Sequence, residues 1–113
     1  MNERDETRLR DMLDAARRAF VHGKERDVLE TDNYLVGFAG VRAIEIIGEA
    51  ASKIASETRA AFPQIEWNNI IGMRNRIIHD YLRVDYDIVW KVLTDNLPQL
   101  IAELERILYS DSD

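Results

Sequence analysis

Between Asn33 and about Ser56, apolar residues occupy most of the circumference of a predicted helix, which leaves few folds open to the chain. One broad apolar face comprises Leu35, Ala39, Ala43, Ile46, Ala50 and Ile54. A second face has small residues that permit close helix approach and comprises Gly37, Val41, Ile44, Gly48 and Ala51. Such a helix has to be covered on several sides. We therefore predict that it is the central helix of a bundle or a helix shared between two subunits.

The same helix carries one polar stripe, which comprises Arg42, Glu45, Glu49 and Lys53. Two interpretations of this stripe are open. The two glutamates can pair with Arg42 or with Arg74 of a later helix. Alternatively, the stripe is a solvated face with pairs at i, i+3 and i, i+4 spacing.

Three further segments before residue 67 show recognisable patterns. A first helix is predicted from Glu6 to His22, with Gly23 as its stop. Its apolar positions are Leu9, Met12, Leu13, Ala16 and Phe20. Lys24 to Asn33 is a charged connector, in which Thr31, Asp32 and Asn33 are good N-cap types. Ser56 to Phe62 is predicted to form a short helical turn that Pro63 ends.

The C-terminal third is predicted to hold one interrupted helix. Leu82 to Asp85 is a short connector, and Asp85 can cap the helix that follows. Pro98 predicts a kink or a restart near Asn96, and the S-D-S-D end is a polar tail. No strand pattern of convincing length is found. The predicted fold is all-α, a bundle of four to five helices in a single domain over residues 1–113.

Composition excludes several classes of function. The chain has 113 residues and no cysteine, so disulfides and thiolate metal sites are excluded. No apolar run approaches the roughly 20 residues that span a bilayer, and no signal peptide is found, so a soluble cytoplasmic protein is expected. The net charge of −6 argues against charge-driven nucleic-acid binding over the whole surface. Between Ile70 and Val84, however, the sequence has three arginines and only one aspartate, which makes this stretch locally positive.

The stretch from Trp67 to Tyr81 is predicted to be a helix that carries the functional site. Its apolar face comprises Trp67, Ile70, Ile71, Ile77, Ile78 and Tyr81. Arg74 falls near the centre of that face and needs an anionic partner, a dimer cleft or a ligand. Asn75 and His79 lie at i, i+4 along one edge of it.

An arginine, a histidine and a tyrosine in R-x4-H-x-Y spacing suit phosphodiester chemistry. Arg74 can hold a phosphate oxygen, and His79 can move a proton to or from a hydroxyl. RNA supplies its own nucleophile, the 2′-OH, so no metal is required. In an α-helix the two side chains lie about 140° apart, so we predict that two copies meet across a dimer axis to form one groove. A structural interpretation stays open, in which His79 caps its own helix and Tyr81 is a core aromatic.

Four blocks of sequence resemble HepT-like toxins of the HEPN superfamily. They are I-E-I-I-G-E-A at 44–50, F-P-Q-I-E-W at 62–67, I-I-G-M-R-N-R-I-I-H-D-Y at 70–81 and N-L-P-Q-L at 96–100. The resemblance covers about residues 30–108. It implies an all-α homodimer with two R-x4-H motifs in a cleft at the interface, and a metal-independent endoribonuclease without a cofactor. It also implies a partner antitoxin, a minimal nucleotidyltransferase of the MntA type.

The resemblance also assigns roles to individual residues. Arg74 and His79 would be catalytic, with Asn75 in support. Tyr81 would be the residue to which the antitoxin transfers AMP. An acidic residue of the second helix at the cleft is assigned to Glu45, with Glu49 behind it and Arg42 as a further supporting residue. The alternative is a non-catalytic helical dimer that binds a nucleotidyltransferase or a nucleotide at the same cleft.

Overall fold

The computed structural model describes residues 1–24, 33–80 and 83–109, with no side-chain description at 21–24, 33–38, 79 and 80. Its elements are α1 (Glu3–Lys24), α2 (Asn33–Ser52), α3 (Ser56–Ala61), α4 (Trp67–Ile77), β1 (Ile78–Asp80), β2 (Arg83–Val84), α5 (Tyr86–Lys91), a π-helical segment (Val92–Asn96) and α6 (Leu97–Tyr109). The backbone stays helical through both ends of the π segment. Helix α5, the π segment and α6 therefore form one continuous helix, Tyr86–Tyr109, which is the last helix of the fold. The described part of the chain thus has five helices, which confirms the predicted all-α bundle.

Helix α2 lies at the centre of the bundle. It packs against α1 on one side and against α4 and α5 on others. Its described residues in the core are Val41, Ala43, Ile44, Ile47, Ala50 and Ala51. The prediction from its nearly continuous apolar circumference is thus confirmed, because these residues are covered from several directions within one chain.

Small residues on α2 allow its neighbours to approach closely. A Cβ placed on Gly48 would lie 3.1 Å from the carbonyl oxygen of Ile70 and 3.6 Å from that of Ile71, both on α4. A Cβ on Gly40 would lie 3.1 Å from a methyl group of Val89 and 3.0 Å from one of Leu93. The predicted close approach is confirmed at Gly48, where the backbone of α4 lies directly against α2.

We expect Gly48→Ala to destabilise the fold, because the added methyl group meets a backbone oxygen that can move only if the whole of α4 moves. The expected loss is about 1–3 kcal/mol of unfolding free energy, the usual cost of overpacking. Gly72→Ala is the matched control, since no atom lies within 4 Å of a Cβ there. It should stabilise α4 by roughly 0.5–1 kcal/mol, the usual gain in a helix interior. Urea unfolding measures both values, and equal effects of the two substitutions would contradict the close contact.

A buried carboxylate joins the start of α1 to α3. The Asp5 side chain is 1% exposed, and its Oδ1 accepts a hydrogen bond from the backbone N–H of Ala55 at 3.3 Å. Its Oδ2 accepts one from the hydroxyl of Thr58. Asp5 therefore satisfies donors at the start of α3, where Ala55 has no side chain for the purpose. The predicted short turn at Ser56 is confirmed as α3, with its end at Ala61.

The last helix bears out two predictions made from single residues. The side chain of Asp85 accepts a hydrogen bond from the N–H of Ile88 at 3.2 Å, so it caps α5 as expected. The irregularity expected near Asn96 takes the form of the π segment, where the N–H of Leu97 bonds to the carbonyl of Val92, five residues back. Pro98 has no N–H, and its ring would meet the carbonyl of the residue four positions before it in an ideal α-helix. The wider π turn relieves that conflict.

Several predicted bounds differ from the observed ones. Helix α1 begins at Glu3 and ends at Lys24, and α2 ends at Ser52. A short antiparallel ribbon, β1 with β2, occurs where no strand is predicted. The N-cap candidates Thr31 and Asp32, the Leu82 end of the connector and the polar tail at 110–113 lie outside the described residues. Of the helices described, none combines the length and apolarity needed to cross a membrane.

Candidate active site

Helix α4 is anchored at its first residue. The ring of Trp67 is buried, and its Nε1 donates to the carbonyl oxygens of Arg59 and Phe62, each at 3.0 Å. These carbonyls lie at the end of α3, and each also accepts one backbone hydrogen bond, that of Arg59 from the N–H of Phe62 at 3.1 Å and that of Phe62 from the N–H of Ile65 at 3.2 Å. The tryptophan adds a second hydrogen bond to each oxygen and so ties the start of α4 to the end of α3.

Arg74 lies on α4 and is exposed, with 55% of its side chain accessible. The prediction that it falls at the centre of a buried apolar face is wrong for the single chain. Trp67 and Ile77 are buried, whereas Ile70 and Ile71 are only half-buried, so the core-facing surface of α4 is narrower than the sequence pattern. The predicted anionic partner, in contrast, is present.

That partner is Glu45 of α2. The Nε of Arg74 donates to Oε2 of Glu45 at 2.9 Å. The contact follows from the close approach at Gly48, since α2 and α4 run antiparallel there. Glu45 lies three residues before Gly48 on α2, and Arg74 lies four residues after Ile70 on α4, so the two side chains meet. No other partner of the guanidinium lies among the residues whose side chains are described, so none of these residues engages its terminal amino groups.

The remaining residues of the polar stripe behave as a solvated helix face. Glu49 pairs with Lys53 at 3.3 Å, an exposed i, i+4 contact. Arg42 is exposed and has no carboxylate within ion-pair distance in the described part of the chain. Each interpretation of the stripe is therefore right for one glutamate: Glu45 pairs with Arg74, and Glu49 pairs along its own helix.

Helix α4 ends at Ile77, four residues before the predicted end at Tyr81. The N–H of Ile78 bonds back to the carbonyl of Arg74, and the N–H of Asp85 donates to the carbonyl of Ile77 at 2.7 Å. Ile78 then pairs with Val84 in the ribbon, and both are half-buried against the core. Both are β-branched, a side-chain type that suits extended backbone.

His79 consequently lies on β1 and not on the helix that carries Arg74. The predicted i, i+4 alignment of Asn75 with His79 is wrong, and the angle of about 140° calculated for Arg74 and His79 does not apply. Two extended residues advance about 6.6 Å, against about 3 Å for two helical ones, so the ribbon carries His79 beyond the end of α4. Asn75 is exposed on α4. The side chain of His79 and the whole of Tyr81 lie outside the described residues.

A groove of about 840 Å³ lies on the side of α4 away from Arg74. Residues of α2, α4, the last helix and the segment before Trp67 line it. Sequence reasoning missed this feature, because its residues come from four separate parts of the chain and no local pattern relates them. Arg76, also exposed, leaves α4 on the groove side.

Comparisons with known proteins agree on one family. The family model described as ribonuclease HepT-like matches residues 9–107. "Putative RNase MJ1380" of Methanocaldococcus jannaschii is 36% identical over 95% of this chain and 100% of its own length. "Putative RNase MJ1216" of the same organism is 38% identical over 68% of this chain and 64% of its own. "Probable ribonuclease HepT" of Thermococcus cleftensis is 37% identical over 62% of this chain and 64% of its own.

No solved structure matches the chain significantly.

Proposed function

We propose that this chain, which belongs to the ribonuclease HepT-like family, is a metal-independent endoribonuclease whose catalytic residues are Arg74 and His79. The single observation that best supports this proposal is the state of Arg74. Its Nε is held by Glu45, its side chain is 55% exposed, and its terminal amino groups have no partner among the described side chains. A guanidinium oriented in this way can bind a phosphate with the amino groups that remain.

The proposed reaction is transfer of a phosphoryl group within the RNA itself. The 2′ oxygen attacks the adjacent phosphorus, the bond from phosphorus to the 5′ oxygen breaks, and the products are a 2′,3′-cyclic phosphate and a 5′-OH. An imidazole accepts the proton of the 2′-OH, and an imidazolium supplies one to the leaving oxygen, so protons balance. Arg74 stabilises the negative charge that builds on the phosphate, and Asn75, exposed beside it, supports the bound backbone.

A homodimer is part of the proposal. Arg74 lies on α4 and His79 on β1, so one chain presents the two groups from different elements. A second copy across a two-fold axis would bring another arginine and another histidine to the same cleft. Arg42, exposed on the same stripe as Glu45, would add positive charge to that cleft.

Control of the activity is proposed to act through Tyr81. Transfer of AMP to its hydroxyl by an MntA-type nucleotidyltransferase antitoxin would place bulk and negative charge in a cleft built for a phosphate backbone. The chain would then be the toxin of a toxin–antitoxin pair in the cytoplasm, where its RNA substrate lies.

The test is incubation of the purified protein with total RNA in EDTA, followed by analysis of the product ends. We expect cleavage that gives cyclic-phosphate and 5′-OH ends and that does not increase when Mg²⁺ is added. A preparation purified in the same way from cells that lack the protein is the control for contaminating nucleases.

Intact RNA requires a measurement of the protein's mass. If the mass shows no added AMP, the nuclease proposal fails, and the chain is better explained as a non-catalytic helical dimer that binds a nucleotidyltransferase or a nucleotide. If the mass shows one AMP, located on Tyr81 by peptide sequencing, removal of the group should restore cleavage.

A further inference from the structure

We infer that the groove between α2, α4 and the last helix binds a purine base of the RNA substrate. The inference rests on the proposed ribonuclease function and adds a base-recognition site to it. Four properties of the groove support it: its size, its apolar floor, the carboxamides on its rim and its two exposed cations.

The size and the floor suit a small planar ligand. The groove volume of about 840 Å³ lies within the roughly 300–1,000 Å³ typical of ligand pockets. Its floor includes four apolar side chains that stay half-buried instead of buried, Ile70, Met73, Ile88 and Leu100. These side chains come from two sides of the groove, since the first two lie on α4 and the others on the last helix. A flat base between them would cover apolar surface from both sides.

The rim holds an unusual share of the chain's carboxamides. The sequence has six asparagines and two glutamines. Four of these eight line the groove, namely Gln64, Asn69, Asn96 and Gln99. A carboxamide offers a donor and an acceptor side by side, and it pairs with the N6 and N7 edge of adenine through two hydrogen bonds. Single-stranded RNA exposes these edges, because its bases are free to leave the stack. The carboxamides therefore favour a purine, and adenine in particular.

The charges on the rim suit a nucleotide better than a neutral ligand. Arg76 and Lys91 are exposed, and neither is paired with a carboxylate among the side chains that the structure describes. Of the two acidic residues on the rim, Glu103 already pairs with Arg106 at 3.0 Å. The two cations are thus the groups available to hold the phosphate that accompanies the base.

The position of the groove connects it to Arg74. Arg74 and Arg76 are two residues apart on α4, about 3 Å along the helix axis and about 160° around it, so their side chains leave on nearly opposite sides. A strand whose phosphate lies at Arg74 therefore has to cross α4 before a later phosphate meets Arg76 and its base enters the groove. In this arrangement the groove recognises a nucleotide at some distance along the strand from the bond that is cut.

The three methionines of the chain allow a direct test. Met73 lines the groove, Met12 is fully buried in the core and Met1 is 61% exposed. With methyl-labelled methionine, the NMR signal of Met73 should shift on addition of adenosine 5′-monophosphate, while those of Met12 and Met1 stay in place. Cytidine 5′-monophosphate should bind about tenfold more weakly, the discrimination expected from one bidentate carboxamide contact.

Two neighbouring asparagines provide matched variants. Asn69 lines the groove, whereas Asn68, equally exposed and one residue earlier, does not. Asn69→Ala should weaken binding of adenosine 5′-monophosphate about tenfold, and Asn68→Ala should leave it unchanged. Both variants should unfold at the wild-type temperature, because both positions are on the surface.

Any one of three results would overturn the inference: a Met73 signal that does not move with either nucleotide, equal binding of the two nucleotides, or equal binding by the two asparagine variants. A Met73 signal that moves with protein concentration and not with nucleotide would assign the groove to a second copy of the chain. None of these measurements requires RNA cleavage. Failure of the groove inference and failure of the proposed nuclease function can therefore be told apart.

Discussion

We expect Arg74→Ala to lower the rate of RNA cleavage by about 10²–10³-fold and His79→Ala to lower it by about 10²–10⁴-fold. The arginine variant loses the cation that stabilises the added charge on the phosphate, and the histidine variant loses the group that moves the proton. Both residues act on the same transition state. The loss of rate in the double variant should therefore be much smaller than the product of the two single losses. Initial rates on a fluorescent oligoribonucleotide in EDTA measure all three.

Arg18→Ala is the matched control for the arginine. Arg18 is also exposed and also paired, with Asp14 at 3.2 Å, but it lies on α1. Its removal should leave the cleavage rate unchanged. Arg74→Lys should recover little activity, since an ammonium cannot bind Glu45 and a phosphate with the same planar geometry. A wild-type rate for Arg74→Ala, in a variant that unfolds at the wild-type temperature, would remove Arg74 from the active site.

The second large effect is expected at Glu45, which does not itself touch the phosphate in the proposed reaction. Glu45→Ala frees the Nε of Arg74, so the guanidinium samples other orientations. We expect the catalytic rate constant to fall about 10–10²-fold, as for other misplacements of a catalytic group. The free energy of unfolding should change by less than about 1 kcal/mol, because exposed ion pairs contribute little to stability. Single-turnover cleavage and urea unfolding give the two quantities.

Glu49→Ala is the control for Glu45, because Glu49 lies one turn further along α2 and pairs only with Lys53 among the described residues. It should cleave RNA at the wild-type rate. Glu45→Ala should also have no effect in a chain that already carries Arg74→Ala, since a positioning residue has nothing left to position. A further loss in that double variant would show that Glu45 acts on the RNA directly, and equal losses at both glutamates would point to the charge of α2 as a whole.

The sequence predicts those features that depend on one element or one residue. The apolar circumference of α2 is a property of that helix alone, and the structure places it at the centre of the bundle. Asp85 caps the helix that begins directly after it, and Pro98 disturbs the turn directly before it. In each case the cause and the effect lie within a few residues of each other.

The features that the sequence does not predict depend on contacts between different elements of the fold. Residues 73–80 contain no glycine or proline that would end α4. The helix ends because Asp85 takes the carbonyl of Ile77 and because Val84 pairs with Ile78. The choice of Glu45 over Glu49 as the partner of Arg74 likewise depends on where the backbones of α2 and α4 touch. The groove combines residues from four parts of the chain and has no local pattern.

Asp5 bears on where the foldable unit of this protein begins. The family match starts at residue 9, so a chain trimmed to 9–107 would keep every matched position and lose this carboxylate. The N–H of Ala55 and the hydroxyl of Thr58 would then face an empty site beneath α3. The carbonyls at the other end of α3 accept from Trp67, the first residue of α4. Greater motion of α3 would therefore also increase the motion of the first turn of α4. The residues that precede the shared family region thus help to support α4, the helix that carries Arg74.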